Sequence, residues 1–315
     1  MVNKSILFKA CALLKVPFSE VELIGGYFDH VFEVKNKPFI LKIFKEDGNS
    51  LSLIEAELNW IDYLSDHHVQ VCKALPIIDN RYIVPLADNY YLVVYEKAKG
   101  QHVNVNDSKT WNNYLFENWG RTMGKMHALA KNYTPRTTKR PNWYDHPLYY
   151  LELDFVDVEI QERLKAYVKQ LRELPTTSNA YGIIHHDLHQ HNFFIDDKKN
   201  LILMDFGDCE YHWFVYDIAI VIYHAVQTCN DAEPQSKEAF AKAFFQSFMK
   251  GYEREHQLPS EWMQQIPFFL DFRQIYSYMY HMMYANNLNE VQLKFLERMK
   301  LKIKSDSPYL PFSLF

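Results

Sequence analysis

The chain has 315 residues, room for one large domain or two lobes, and its 48% hydrophobic and 16% aromatic content exclude a disordered protein. A formal net charge of −5 with no basic stripe leaves no nucleic-acid footprint. Cys11, Cys72, Cys209 and Cys229 are scattered without a C-x-x-C pair, which favours free thiols in a reducing, cytoplasmic setting.

The first residues, MVNKSILFKACALLKVP, do not read as a signal peptide: Lys9 and Lys15 interrupt the apolar run and no small-residue cleavage site follows. Ile6, Leu7, Ala10, Leu13 and Leu14 instead repeat at helical spacing, and Pro17 ends that helix. No later segment has the roughly 18 uncharged apolar residues of a membrane span, so no membrane partner is expected. From Val21 the pattern turns to strands, VELIGGYFDHVFEV and KPFILKIF, separated by the turn Lys35-Asn36-Lys37. Gly25 and Gly26 let the backbone turn tightly and come close to a ligand, as a phosphate-covering loop must; a plain hairpin turn is the alternative.

Lys42 sits in an apolar strand between Leu41 and Ile43 and points away from both. It lies either on the solvated face of the sheet or in a cleft with a partner. A helix expected over Leu51–Ser65 has Ile54, Leu58, Ile61 and Leu64 as its apolar stripe, with Glu57 beside it. A Lys–Glu pair between a strand and the next helix is what kinases use to orient phosphates, so Glu57 is the candidate partner. Further strands are expected at Arg81–Pro85 and Tyr90–Tyr95. The run YYLVVYE ends at Glu96, and Lys97-Ala98-Lys99-Gly100 reads as a connector between an N-terminal lobe, residues 1–96, and a C-terminal lobe, residues 97–315. Backbone groups from Glu96 to Ala98 would serve the edge of an adenine.

After Gln101 helices dominate, with periodic segments near 110–131, 147–173, 213–228, 235–254, 262–285 and 290–303. Tyr133–Pro147 is irregular, with three prolines and an exposed-looking Trp143 and Tyr144. It is either a cap over a substrate cleft or a long surface connection. Arg273, Tyr276, Tyr280 and Tyr284, in the aromatic segment Phe272–Asn287, recur at helical spacing and belong either to the core or to a cleft wall.

The chemistry concentrates in Ile183–Asp217. A strand-like run, Tyr181–Ile184, leads into HHDLHQHN (His185–Asn192). Asn192–Ile195 and Leu201–Met204, joined by a polar turn, read as a hairpin that ends in MDFGD. A hairpin fixes its strand ends, so Asp187, Asn192 and Asp205 can converge: two carboxylates and an amide oxygen, hard ligands with a spare base, suited to magnesium and phosphate. The spacing His185-x-Asp187-Leu188-x-x-x-Asn192 matches the kinase catalytic loop H-R-D-L-x-x-x-N, with His186 in place of Arg, and Asp205-Phe206-Gly207 matches the magnesium-binding DFG. On that reading Asp187 accepts the proton of a hydroxyl attacking a γ-phosphate, and Asn192 and Asp205 hold the metal ions. A rival is a zinc site built from His185, His186, His189 and His191, which needs helical spacing and a third protein ligand. His185 otherwise braces the loop. Asp217 is either a first-turn helix acid or a buried acceptor for the loop's amides.

With these residues in place, the chain resembles the aminoglycoside phosphotransferase family, kinases of small molecules that include choline and type II homoserine kinases and some bacterial Ser/Thr stress kinases. The resemblance runs from GGYFDHVFEV through ILKIF, EAELNWIDYL, HHDLHQHNFF and MDFGD to YDIA. It implies an α+β, two-lobed, protein-kinase-like fold: a small, mainly antiparallel β N-lobe with one principal helix and a larger, mostly helical C-lobe. It also implies ATP and Mg²⁺ as cofactors, Lys42 and Glu57 as the phosphate-orienting pair, Asp187 as base, Asn192 and Asp205 as metal ligands and Asp217 as anchor of the catalytic loop. There are departures. The family's glycine is His186 here, which is expected to crowd the loop, and the glycine loop is short. Between Gly207 and Asp217 there is no room for a long activation segment, and no A-P-E triplet occurs. The expected activity is transfer of the γ-phosphate of ATP to a hydroxyl of a small molecule, an aminoglycoside, homoserine or choline-like acceptor, by a monomer or homodimer. A protein Ser/Thr kinase of the stress type and a non-catalytic nucleotide-binding regulator are the alternatives.

Overall fold

The computed structural model describes residues 3–26, 30–46, 50–86, 89–229, 233–284 and 288–315. Tyr27–Asp29 of the first β-rich run and Ala285–Asn287 at the end of the aromatic segment lie outside them. The chain divides into two units. One comprises Met1–His102, Tyr133–Arg140 and Phe193–Gly207; the other comprises Val103–Asn132, Pro141–Asn192 and Asp208–Phe315.

In the first unit α1 (Lys4–Leu14) precedes β1 (Val21–Gly25), β2 (His30–Val34) and β3 (Phe39–Lys45). Helix α2 (Leu51–Asp66) follows, then β4 (Ala74–Leu75), β5 (Ile83–Pro85), β6 (Tyr90–Glu96) and β7 (Gln101–His102). The main sheet is antiparallel in the order β1-β2-β3-β6-β4, with β5 also on β6. Strand alternation divides the work of its two faces. Phe32 and Val34, Leu41 and Ile43, and Leu92 and Val94 are buried together with Ile6, Leu7, Ala10 and Cys11 of α1. That face is a hydrophobic core. Lys42 and Phe44, with Val93 and Tyr95 on the neighbouring strand, therefore occupy the other face.

The second unit begins with α3 (Asn113–Ala130), α4 (Val158–Glu173) and β8 (Tyr181–Ile184). The chain then enters the first unit as the hairpin β9 (Phe193–Ile195) and β10 (Leu201–Leu203), with β7 on the outer edge of β9. Its turn is held by Asp196, whose Oδ1 accepts from the amides of Lys198 and Asn200, each at 2.8 Å. The second unit resumes with β11 (Glu210–Trp213), α5 (Phe214–Gln227), α6 (Pro234–Tyr252), α7 (Ser260–Met263), α8 (Ile266–Met283) and α9 (Glu290–Lys304). Helix α5 is buried almost all round, as its unbroken apolar sequence requires. Helices α3 and α6 meet backbone to backbone: a Cβ on Gly120 would stand 1.8 Å from the Phe248 oxygen, and one on Gly251 1.8 Å from the Glu117 oxygen.

Three sequence expectations change. The helix expected from residue 147 starts at Val158, because the preceding stretch satisfies its backbone elsewhere: Gln161 bonds Leu153 through both its N–H and its carbonyl, and also the Val156 carbonyl. Trp143 is buried, not exposed, at 3%. The prolines around it signal irregular backbone, but Tyr211 of β11 donates to the Pro141 carbonyl at 2.8 Å and the indole packs 5.5 Å from Trp213. The segment expected over 262–285 breaks between Met263 and Ile266, where Pro267 opens α8. Strands β4 and β7 escaped notice because two residues carry no period. Among the described residues no helix is long and apolar enough to cross a membrane.

Candidate active site

Strand β8 pairs with β11 from Ile184↔Glu210 to Tyr181↔Trp213, and α5 starts on the residue after β11. That register places Asp217, in the first turn of α5, against the loop that leaves β8. Asp217 is fully buried; its Oδ2 accepts from the His185 amide and its Oδ1 from the His186 amide, both at 3.0 Å. His127 Nε2 lies 3.2 Å from Oδ2, and its Nδ1 lies 2.8 Å from the Tyr252 hydroxyl. Burial pushes the His127 imidazole below its usual value, so the network assigns its one proton to Nε2, with Tyr252 donating to Nδ1. Burial alone would raise the Asp217 carboxyl; the His127 hydrogen bond, followed by the loop contacts, outweighs it and holds the group low.

The same loop carries Asp187. Oδ1 accepts from Arg273 Nη2 at 3.0 Å, and Oδ2 lies 3.2 Å from Asn192 Nδ2 and 3.3 Å from His189 Nε2. His189 Nδ1 accepts from the His191 amide at 3.2 Å, which leaves Nε2 as the protonated nitrogen facing Asp187. Burial pushes the Asp187 carboxyl up, but the His189 hydrogen bond and the Arg273 charge more than reverse this and keep it an anion. Asn192 donates to the Asp187 carbonyl at 2.8 Å, which fixes the flip of its amide and makes Oδ1 its acceptor atom.

The expectation that His186 crowds the loop is corrected. Its ring is 4% exposed and turns into the second unit, 5.4 Å from Tyr276 and 5.6 Å from Tyr216, with Nε2 3.3 Å from Glu210. The backbone turns left-handed there, φ 70°, and burial pushes the imidazole down to about 3. The four histidines of the loop do not gather: among the described residues no group of three or more His, Cys, Asp or Glu is disposed to hold a metal ion.

In the first unit Lys42 is 8% exposed, so it is not on a solvated face. Its Nζ stands 3.4 Å from Asp205 Oδ1 and 4.7 Å over the Phe44 ring. Glu57, buried on α2, accepts from the Tyr95 hydroxyl at 3.3 Å. Burial, then the Glu57 charge, push the Tyr95 phenol well above its usual value, while Lys42 works in the opposite direction. Asp205 follows β10 on a left-handed backbone, φ 58°, a conformation Asp tolerates, and Arg140 donates to the carbonyl of the nearby Gly207. Gly25 ends β1, and Gly26 has φ 109°, the left-handed freedom expected of a glycine turn. At the connector the amides of Glu96 and Lys97 are committed to the carbonyls of Lys73 and Pro38, at 2.8 and 2.9 Å; the Ala98 amide is not among these bonds.

By unit, Gly25, Gly26, Lys42, Glu57, Glu96, Ala98 and Asp205 lie in the first, where Lys42 meets Asp205, and His185, Asp187, Asn192 and Asp217 lie in the second. Each unit supplies a hard oxygen donor of the kind a divalent cation takes: the Asp205 carboxylate, 57% exposed, in the first, and the Asn192 amide oxygen in the second. Sequence reasoning missed His224, His127 and Tyr95. His224 lies seven residues after Asp217 on one helix, hence on the same face, and that spacing was the available signal. His127 and Tyr95 offered none beyond an apolar periodicity.

A family model described as the phosphotransferase enzyme family matches residues 20–258. Amicoumacin kinase of Bacillus subtilis (strain 168) is 31% identical over 322 residues, covering 98% of this chain and 94% of that protein. The solved structure of amicoumacin kinase hAmiN in complex with AMP-PNP, Ca²⁺ and Ami aligns with a TM-score of 0.88 at 28% identity, over 100% of this chain and 96% of that one. A microcompartment-associated aminopropanol kinase shares the fold, with a TM-score of 0.74 at 18% identity over 99% and 100% of the two chains. The fold is therefore kinase-like, with an N-terminal antiparallel sheet and helix and a larger helical C-terminal part, as the sequence resemblance implied. The chain belongs to the phosphotransferase enzyme family (APH) and is an ATP-dependent kinase of a small molecule.

Proposed function

We propose that this kinase moves the γ-phosphate of ATP, as its magnesium complex, to a hydroxyl of an amicoumacin-like antibiotic. The observation that carries the reading is the near full-length relationship to amicoumacin kinase, 31% identity over 98% of the chain. It favours that acceptor over the aminoglycoside, homoserine or choline-like compounds expected from sequence. Asp187 takes the proton of the attacking hydroxyl; its oxygens are held by Arg273, His189 and Asn192, which keeps the base oriented before substrate arrives. Asp217 and His185 fix the start of that loop. Lys42 and Glu57 orient the phosphates, Gly25 and Gly26 let backbone amides approach them, and the Glu96 carbonyl and Ala98 amide meet the adenine edge. Asp205 and Asn192 are the residues that would ligate magnesium, and the ion would supply charge neutralisation on the phosphates.

The test is ADP release by the full chain with ATP and Mg²⁺, comparing amicoumacin with an aminoglycoside, choline, homoserine and aminopropanol. Turnover stimulated by amicoumacin alone is the expected result. Stimulation by another compound, with none by amicoumacin, would reassign the acceptor.

A further inference from the structure

Helix α8 reaches the base from far along the chain. Arg273 is buried, with Nη2 3.0 Å from Asp187 Oδ1, Nη1 3.4 Å from the His186 carbonyl and Nη2 also 3.2 Å from His224 Nε2. Arg has donors and no acceptor, so His224 Nε2 must accept and its proton sits on Nδ1. The guanidinium is thus clamped by three acceptors, one of them the carboxylate oxygen opposite the one that faces Asn192 and His189. Its face also lies 5.6 Å over the Tyr276 ring. A planar fork bridging a side chain and the backbone of the preceding residue locks the orientation of that side chain, which a point charge cannot do.

We infer that Arg273 is a positioning residue for phosphoryl transfer: it clamps Asp187 Oδ1 and the His186 carbonyl together, so that the outer lone pairs of Asp187 are presented in one fixed direction to the acceptor hydroxyl. His224 Nε2 also lies 3.6 Å from Asp187 Oδ1, beyond hydrogen-bond reach, so its direct bond is the one from Arg273. The inference rests on Asp187 being the base.

The test uses the full chain with ATP, Mg²⁺ and amicoumacin, and follows acceptor-free ADP release in parallel. Arg273→Ala is expected to lower kcat by roughly 10- to 100-fold, since a misplacement on the order of 1 Å costs about that much, with the KM values for ATP and acceptor little changed. Guanidinium ion at sub-denaturing concentration should refill the cavity and restore part of the turnover, saturably; a residue that only supports packing would give no such recovery. Arg273→Lys keeps the charge without the fork and should retain its fold while losing roughly 10-fold in kcat. Undiminished kcat in Arg273→Lys overturns the inference, as does a rise in acceptor KM alone, which would make Arg273 a binding residue. Asp187→Asn separates the two claims. If it too keeps full turnover, the base assignment has failed; if it is inactive and not rescued while the Arg273 variants behave as wild type, only the clamp has failed.

Discussion

Asp187 and Asp217 in the second unit have their oxygens assigned by the fold, whereas Asp205 in the first stands 57% exposed, 3.4 Å from Lys42. Asp217 receives two backbone amides and an imidazole, and Asp187 an arginine, an amide and an imidazole. The second unit has therefore spent its packing on orienting charges before any ligand arrives, which is where electrostatic preorganisation has its effect. The first unit keeps its carboxylate accessible on a left-handed turn. On the proposed reading, its further partners are the metal ion and phosphates that come with the nucleotide.

The largest expected effect breaks the comparison at Asp187, the proposed base. Asp187→Asn should lower turnover by about 10² to 10⁴-fold while ATP binding persists, because it removes the proton acceptor but keeps the shape. Steady-state kinetics and nucleotide binding on the same preparation check it, and wild-type turnover would remove Asp187 from the mechanism. Asp217→Ala tests the anchor. It strips three buried donors of their acceptor, and a loss of about 3 to 5 kcal/mol in unfolding free energy is expected. Chemical denaturation reads it; a loss below about 1 kcal/mol would mean that the amides find another acceptor.

Acid should act unequally on the two units. In the second, burial pushes His186 and His224 down to about 3 and His146 and His256 to about 4, and it lowers His127 and His212 as well. Their unfolded value is about 6.5, so the unfolded chain binds more protons below that pH. The stability they confer is complete above pH ~6.5 and is lost as pH falls toward 3 to 4, each group steepening the decline by about 1.4 kcal/mol per pH unit. The lowered carboxyls of Asp187 and Asp217 add to the loss only below about pH 4. In the first unit His30 has the same sign, but burial raises Asp62, which works the other way. Hydrogen exchange at pH 7 and pH 5 should show protection falling mainly in the second unit. Equal loss in both would mean that the buried imidazoles are not neutral.

How much of this was legible in the sequence follows the range of each interaction. The hairpin β9–β10 and the helix α2 rest on alternation, a polar turn and a stripe, all local, and could be placed within a residue or two. Asp217 could be named as a candidate acceptor because it opens the apolar run YDIAIVIYHAV, which the family resemblance reaches. The partners of Asp187 could not: Arg273 lies 86 residues away, and helical spacing marks which face it shares with Tyr276 but not what that face meets. Lys42 and Asp205 are 163 residues apart, and alternation told only that the lysine opposes Leu41 and Ile43. Trp143 was misjudged because prolines report backbone irregularity and say nothing about whether a loop lies over a hole.

The smallest expected effect is the one that sharpens the contrast most. Asp205→Asn removes a charge from an exposed site, and such pairs contribute about 0 to 1 kcal/mol to stability. The substitution adds no backbone penalty, since Asn adopts φ near 58° as readily as Asp. Unfolding free energy should therefore stay within about 1 kcal/mol of the parent, against the several lost in Asp217→Ala. Turnover should nonetheless fall, and it should be partly restored by raising Mg²⁺, because a neutral amide oxygen still ligates the cation, only more weakly. A stability loss matching that of Asp217→Ala would place Asp205 among the groups the fold itself depends on. The division between an organised second unit and a ligand-organised first unit would then be wrong.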